Sequence, residues 1–275
     1  MKNGASFRET SPVLFLSYLL VGAAAGVLAG LFGVGGGTII VPALVLCFKW
    51  QGMDSELQTH LAIGTSLATI VITSISSTRA HHLAGAVRWP LVRWLAPGIA
   101  VGVWCGAGLA AQLHGLQLQR LFGLFAWAIA VQMWFGWQPH GQQHLPGKAG
   151  LSLAGLIIGG ASALFGIGGG SLTVPFLSTY RLRMQEAVAT AAACGFPIAL
   201  IGALAYVYQG QSNPNLPEHA MGFVYLPALV GIGITSLPCA TFGAQLAHRW
   251  PAIKLKRIFA GFLLLIGAVL LAGIR

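Results

Sequence analysis

The apolar residues of this chain come in long blocks rather than alternating stripes. A block of about 20 residues is what a helix needs to cross a hydrocarbon core of roughly 30 Å. Six blocks reach that length: Leu61–Ala80, Val92–Ala111, Leu118–Trp137, Ala187–Tyr208, Gly222–Ala247 and Leu255–Ile274. Two further regions, Pro12–Phe48 and Ala149–Tyr180, are longer and are interrupted by glycine. Polar connectors such as Lys49–His60, His81–Leu91 and Gln209–Met221 separate the blocks. Six of the eight Trp residues, at 50, 89, 94, 134, 137 and 250, lie near predicted span ends, as an interfacial aromatic belt requires. The pattern predicts an all-α integral membrane protein with about 8 to 10 membrane elements.

Composition agrees. Of 275 residues, 56% are hydrophobic and only 7% charged, against about 25% charged in a soluble domain. The net charge of +10 arises because acids are scarce. All five acids (Glu9, Asp54, Glu56, Glu186 and Glu218) fall in connectors or at segment ends. No basic run of the nucleic-acid type occurs, so no nucleic-acid partner is expected. Cys47, Cys105, Cys194 and Cys239 lie singly inside apolar segments and read as packing residues, and neither a metal nor a cofactor is expected. Lys2 and Arg8 before an apolar run suggest a signal peptide, but the hydrophobicity continues to Phe48, which predicts a retained first helix.

The second organising signal is an internal repeat. The run from Gly30 to Leu44, Gly-Leu-Phe-Gly-Val-Gly-Gly-Gly-Thr-Ile-Ile-Val-Pro-Ala-Leu, recurs from Ala163 to Leu177 as Ala-Leu-Phe-Gly-Ile-Gly-Gly-Gly-Ser-Leu-Thr-Val-Pro-Phe-Leu. Ala62–Thr65 pairs loosely with Ala187–Thr190, and Leu118–Phe122 matches Leu255–Phe259, in the same order. Residues 1–137 and 149–275 therefore read as two homologous membrane repeats joined by a linker over 138–148. Placing ten of the fifteen Lys and Arg on one side, against a division of eight to seven, favours folding each glycine-interrupted region back as a hairpin. Five elements per half then make the two copies inverted, with glycine-broken re-entrant helices and both termini outward.

The glycine breaks carry the candidate chemistry. Gly35-Gly36-Gly37 and Gly168-Gly169-Gly170 interrupt helices within hydrophobic stretches, and in lipid a broken backbone is tolerated only where protein or a watery cavity satisfies it. A new helix is expected to start at Thr38 and at Ser171, both good N-caps, so that its free N–H groups face the membrane interior and attract an anion. Pro42 and Pro175, four residues on, have no N–H to give the Thr38 and Ser171 carbonyls. Close packing of glycines is the competing reading.

The paired breaks followed by Val-Pro-x-Leu, the segment Gly64-Thr65-Ser66-Leu67 and the turn Gly85-Ala-Val-Arg-Trp89 resemble the sulfite exporter TauE/SafE family over about residues 12–273. The resemblance implies a permease for sulfite, sulfonates or related sulfur anions in a multi-pass cell-membrane protein, here of the bacterial inner membrane. It also brings Thr65 and Ser66 to the candidate site, with Thr190 as the repeat partner of Thr65. The second half departs from the pattern: Ala191 replaces the Ser of the Thr-Ser pair, and its connector 209–221 is longer.

The expected partners are thus a small anion and the lipid bilayer. Carriers coupled to protons or sodium often hold Asp or Glu in a span, and none lies in one here. A different class, an intramembrane serine hydrolase using Ser66 and His60, leaves the glycine breaks unexplained.

Overall fold

The computed structural model of the chain describes residues 12–32, 36–135, 145–180, 182–247 and 252–272, nearly all of them helical. Each glycine-interrupted region forms two helices. The first gives α1 (Pro12–Phe32) and α2 (Gly37–Trp50), and the second gives α6 (Lys148–Phe165) and α7 (Gly170–Ser178). Between them lie α3 (Ser55–Leu83), α4 (Trp89–Gln112) and α5 (Gly115–Phe135). After α7 come α8 (Met184–Gly210), a two-stranded hairpin of β1 (Ala220–Met221) and β2 (Val224–Tyr225), then α9 (Leu226–Ala247) and α10 (Ala252–Ala272). With 14 and 9 residues, α2 and α7 measure about 21 Å and 14 Å at 1.5 Å per residue, too short to cross a membrane alone.

Among the described residues five helices, α3, α4, α5, α6 and α8, are long and apolar enough to cross a membrane. Of these, α3 and α8 form the centre, with 56% of each apolar window buried, against 33–39% for the other three. Elsewhere Leu124, Leu153, Ile157 and Leu265 are exposed, as lipid-facing residues of a bundle are. The α3 helix starts six residues before the predicted span, because the Asp54 side chain accepts from the Glu56 N–H at 3.0 Å and caps it.

Without a hydrophobic drive between helices in lipid, close packing at small residues holds them together. A β-carbon at Gly98, Gly102 or Gly106 of α4 would overlap the carbonyl oxygen of Ser152, Leu156 or Gly160 of α6. The contacts advance together along both helices, so α4 and α6 run parallel. The same holds for α1 and α9: Gly231 meets Tyr18, a β-carbon at Gly22 would overlap Thr235, and one at Gly26 would lie 2.9 Å from the Ser236 Cα. Two other pairs run antiparallel. In α3 and α8, Gly64 meets Tyr206, Gly202 meets Leu67, and Thr78 donates to the Ala192 carbonyl at 3.1 Å. In α5 and α10, Gln119 donates to the Leu270 carbonyl and Trp127 to the Leu264 carbonyl.

These directions gather Arg79, Arg88, Arg93, Lys148 and Arg183 at one end. Lys148 lies 4.8 Å over the Trp94 ring, and Ser152 donates to the Trp94 carbonyl at 2.8 Å. Arg88 pairs with Glu186 at 2.8 Å. The other end holds the hairpin, which the apolar pattern does not predict: it takes up the first four residues of the expected Gly222–Ala247 block. Positive φ at His219 (63°) and Gly222 (56°) turns the chain, and the Phe223 N–H donates to the Tyr206 carbonyl.

Replacing Gly98 or Gly102 with Leu is expected to cost at least about 1–3 kcal/mol, the usual range for overpacking. Thermal unfolding of the detergent-solubilised protein would show this as a lower midpoint. Gly261→Ala, where a β-carbon meets nothing within 4 Å, should leave the midpoint unchanged or raise it. Equal behaviour of all three variants would refute glycine-mediated packing of α4 on α6.

Candidate functional site: a cavity where two glycine breaks meet

The two breaks touch. A β-carbon on Gly37 would overlap the Gly166 carbonyl oxygen and lie 2.8 Å from the Ile167 Cα, so only glycine permits this approach. Gly166 takes left-handed backbone (φ 62°) to end α6, and its N–H and that of Ile167 both reach the Ser162 carbonyl. Gly169, at φ 77°, starts α7, and its carbonyl accepts from the N–H groups of Leu172 and Thr173. Gly36 does the same for α2 through Ile39 and Ile40. The helices therefore start one residue before the expected Thr38 and Ser171, with Gly36 and Gly169 at the caps. The physical reasons lie beside the caps: Gly169 takes the left-handed turn, and next to Gly36, itself right-handed, Gly37 admits the backbone at Gly166.

Both central helices reach the junction at mid-length. Ile70 of α3 lies against Gly37 and Gly168, and Gly195 of α8 against the Gly168 carbonyl at 2.8 Å from where its β-carbon would be. Beside the junction is a cavity of about 420 Å³, lined by Gly36, Gly168 and Gly170 from the breaks, and by residues of α1, α3, α8 and α9. It extends along α3 to Ala80 and His81, towards the end of the molecule that holds the arginines. Among its described lining residues none is Asp, Glu, Lys or Arg, and His81 is the one titratable side chain. At the opposite end Tyr18, Phe48 and Tyr225 close together edge-to-face, with ring centroids 5.6–6.4 Å apart. All three are buried, and Tyr18 donates to the Gln51 side chain at 2.8 Å.

The predicted site residues separate into two groups. Gly36, Gly168 and Gly170 line the cavity. Gly37 and Gly169 hold the junction, while Thr38 is buried at the start of α2 with its hydroxyl unpartnered, and Ser171 is buried at the start of α7. Gly35 lies outside the described residues. The second group holds backbone instead: Thr65 accepts from the Tyr225 N–H at 2.9 Å, Ser66 donates to the Gly166 carbonyl at 2.8 Å, and Thr190 accepts from the Arg88 N–H at 3.1 Å. Each of these contacts joins segments 100 or more residues apart. His60 reaches the carbonyls of Glu56 and Ala110 at 3.0 and 2.9 Å, and Ser66 is bonded elsewhere, so the two do not form the pair that a hydrolase needs. The polar residues that sequence reasoning missed are Ser74 of α3 and Ser236 and Thr241 of α9, all on the cavity wall. A signal for the second was present: Thr235-Ser236-Leu237 repeats the Thr65-Ser66-Leu67 triplet.

A multi-pass helical bundle, broken at its centre beside a cavity of this kind, defines a membrane transporter. Comparison with known proteins agrees. Residues 18–270 match the family described as sulfite exporter TauE/SafE, and the chain belongs to that family. A protein of Haemophilus influenzae described as a probable membrane transporter is 38% identical over 90% of this chain and 94% of its own length. Proteins with the same description from Xylella fastidiosa (30%, covering 87% of each chain) and Methanocaldococcus jannaschii (25%, covering 92% and 94%) are also similar. No solved structure matches the chain.

Removing the Ser66 hydroxyl leaves the buried Gly166 carbonyl one donor short, so Ser66→Ala is expected to cost about 1–3 kcal/mol. The unfolding midpoint should fall while the substrate KM stays within about twofold. An unchanged midpoint with a raised KM would instead make Ser66 a substrate ligand.

Proposed function

We propose that the chain is a secondary transporter of small sulfur-containing anions such as sulfite or organosulfonates, and not an enzyme. The anion binds near the membrane midplane, in the cavity where the two breaks meet. The observation that carries this reading is the convergence of both breaks on one cavity whose described lining has no ionised carboxylate or cation. Such a wall neither repels an anion nor holds it with a fixed charge. The starts of α2 and α7 offer N–H groups and positive dipole ends there, and a site without a strong counter-charge releases its cargo readily.

The helix directions support an inverted repeat. If α1–α5 correspond to α6–α10, then α4 on α6 corresponds to α9 on α1, and both pairs run parallel. Under the same correspondence α3 pairs with its counterpart α8, and α5 with α10, both antiparallel, as a two-fold axis in the membrane plane demands. Rocking of the two halves about this axis would open the cavity to each side in turn. The arginine-rich end, to which the cavity extends, is then cytoplasmic by the positive-inside rule, and the Tyr18–Phe48–Tyr225 cluster closes the outer side.

The test is sulfite movement across vesicles containing the purified protein, with and without a pH gradient. Gly36→Leu and Gly168→Leu fill the cavity wall from opposite breaks, and each should lower flux at least tenfold in protein that still elutes as a folded species. Flux no greater than that of empty vesicles, for sulfite, thiosulfate and organosulfonates alike, would overturn the sulfur-anion reading.

A further inference from the structure

Hydroxyls on membrane helices ordinarily donate to a carbonyl on their own helix, and most described hydroxyls on this cavity wall obey that habit. Thr73 donates to the Ile70 carbonyl, Ser74 to Val71 and Thr241 to Pro238. Ser76 and Ser77 lie further along α3, at the half-exposed to exposed end. Ser236 departs from the pattern. It lines the cavity and is 4% exposed, yet its Oγ has no hydrogen-bond partner. Its neighbour Thr235, one position away on α9, reaches both the Leu19 and Gly231 carbonyls. The local helix geometry therefore does not prevent such bonds. Gly26 of α1 lies backbone to backbone against Ser236, so an alanine would fill the same contact without burying a hydroxyl.

A buried hydroxyl with no partner is unfavourable, unless something that enters the cavity accepts a hydrogen bond from it. We infer that Ser236 is a substrate-binding residue, whose Oγ–H donates to an oxygen of the transported oxyanion. This deepens the transport reading and rests on it. An O–H donor recognises the acceptor oxygens shared by sulfite and sulfonates, and adds no charge that would trap the ion. It also places a contact on α9, outside both glycine breaks, so that the anion bridges α9 to the starts of α2 and α7.

The test combines binding and flux on the purified full chain. The shift in unfolding midpoint on adding sulfite, methanesulfonate, thiosulfate or acetate reads binding directly, and vesicle uptake gives KM and kcat. Ser236→Ala is expected to raise the KM of the anion that binds about tenfold and to abolish its stabilising shift. The ligand-free midpoint should stay the same or rise, because an unsatisfied hydroxyl has gone. Ser236→Cys, similar in size with a weaker S–H donor, should fall between the two. A lower ligand-free midpoint with KM unchanged would make Ser236 merely structural and overturn the inference. An anion that shifts wild type and Ser236→Ala equally would overturn it too, while leaving the transport reading intact. No shift and no flux in wild type with any of the four would overturn both.

Discussion

The constraint on which the structure depends is that hydrocarbon offers the backbone no hydrogen bonds. A helix can stop inside a membrane only where other protein groups, or a cavity, take up the N–H and C=O groups set free. Helices break at two places inside this protein, and the end of α6 meets the start of α2. Gly37 fits against the Gly166 carbonyl, Ser66 donates a hydrogen bond to that same carbonyl, and the turns at Gly166 and Gly169 satisfy their neighbours locally. The two central helices, α3 and α8, supply the wall that makes this possible. The lack of a β-carbon at these glycines is thus a condition of the architecture, and the cavity is what remains beside the contact.

The peripheral helices follow from the same logic. Where lipid gives no hydrophobic drive, backbones must come close, and the glycine rows of α4, α6, α1 and α9 allow this. Their tight, directional packing gives each pair one register. The centre is different: three-glycine runs are poor at continuing a helix and good at admitting a neighbour. One residue type therefore serves two roles, and its spacing decides which. Glycines four apart align on one face and seal two helices, whereas consecutive glycines end one.

Much of the fold was legible in the sequence for this reason. Block length revealed the spans, the duplicated Gly-Gly-Gly runs located both breaks, and charge division favoured two helices per broken region over one. The site was only half legible. Gly36, Gly168 and Gly170 line the cavity because the break must face it. Thr65, Ser66 and Thr190 looked equally suitable, but their partners Tyr225, Gly166 and Arg88 lie 160, 100 and 102 residues away, and no local pattern encodes such pairings. The helix starts were displaced by one residue and the caps by two, because Thr and Ser are the commoner caps in isolation, while here the backbone approach at Gly37 and the left-handed turn at Gly169 selected glycine. The hairpin at 220–225 was hidden inside an apolar block, since its buried Phe223, Val224 and Tyr225 read like a span. Ser236 was obscured by its surroundings: one serine on an apolar helix draws no notice until Thr73, Ser74 and Thr241 around the same cavity are seen to bond to their own helices.

In the proposed mechanism the anion rests at the junction of the two breaks. The most direct measurement is an experimental structure of the full chain with selenite, whose selenium scatters anomalously and which has the shape and charge of sulfite. The account predicts an anomalous peak inside the cavity, within hydrogen-bonding reach of the backbone at Gly36 or Gly170. A peak confined to the arginines at the molecule's end, with the junction occupied only by water, would contradict it.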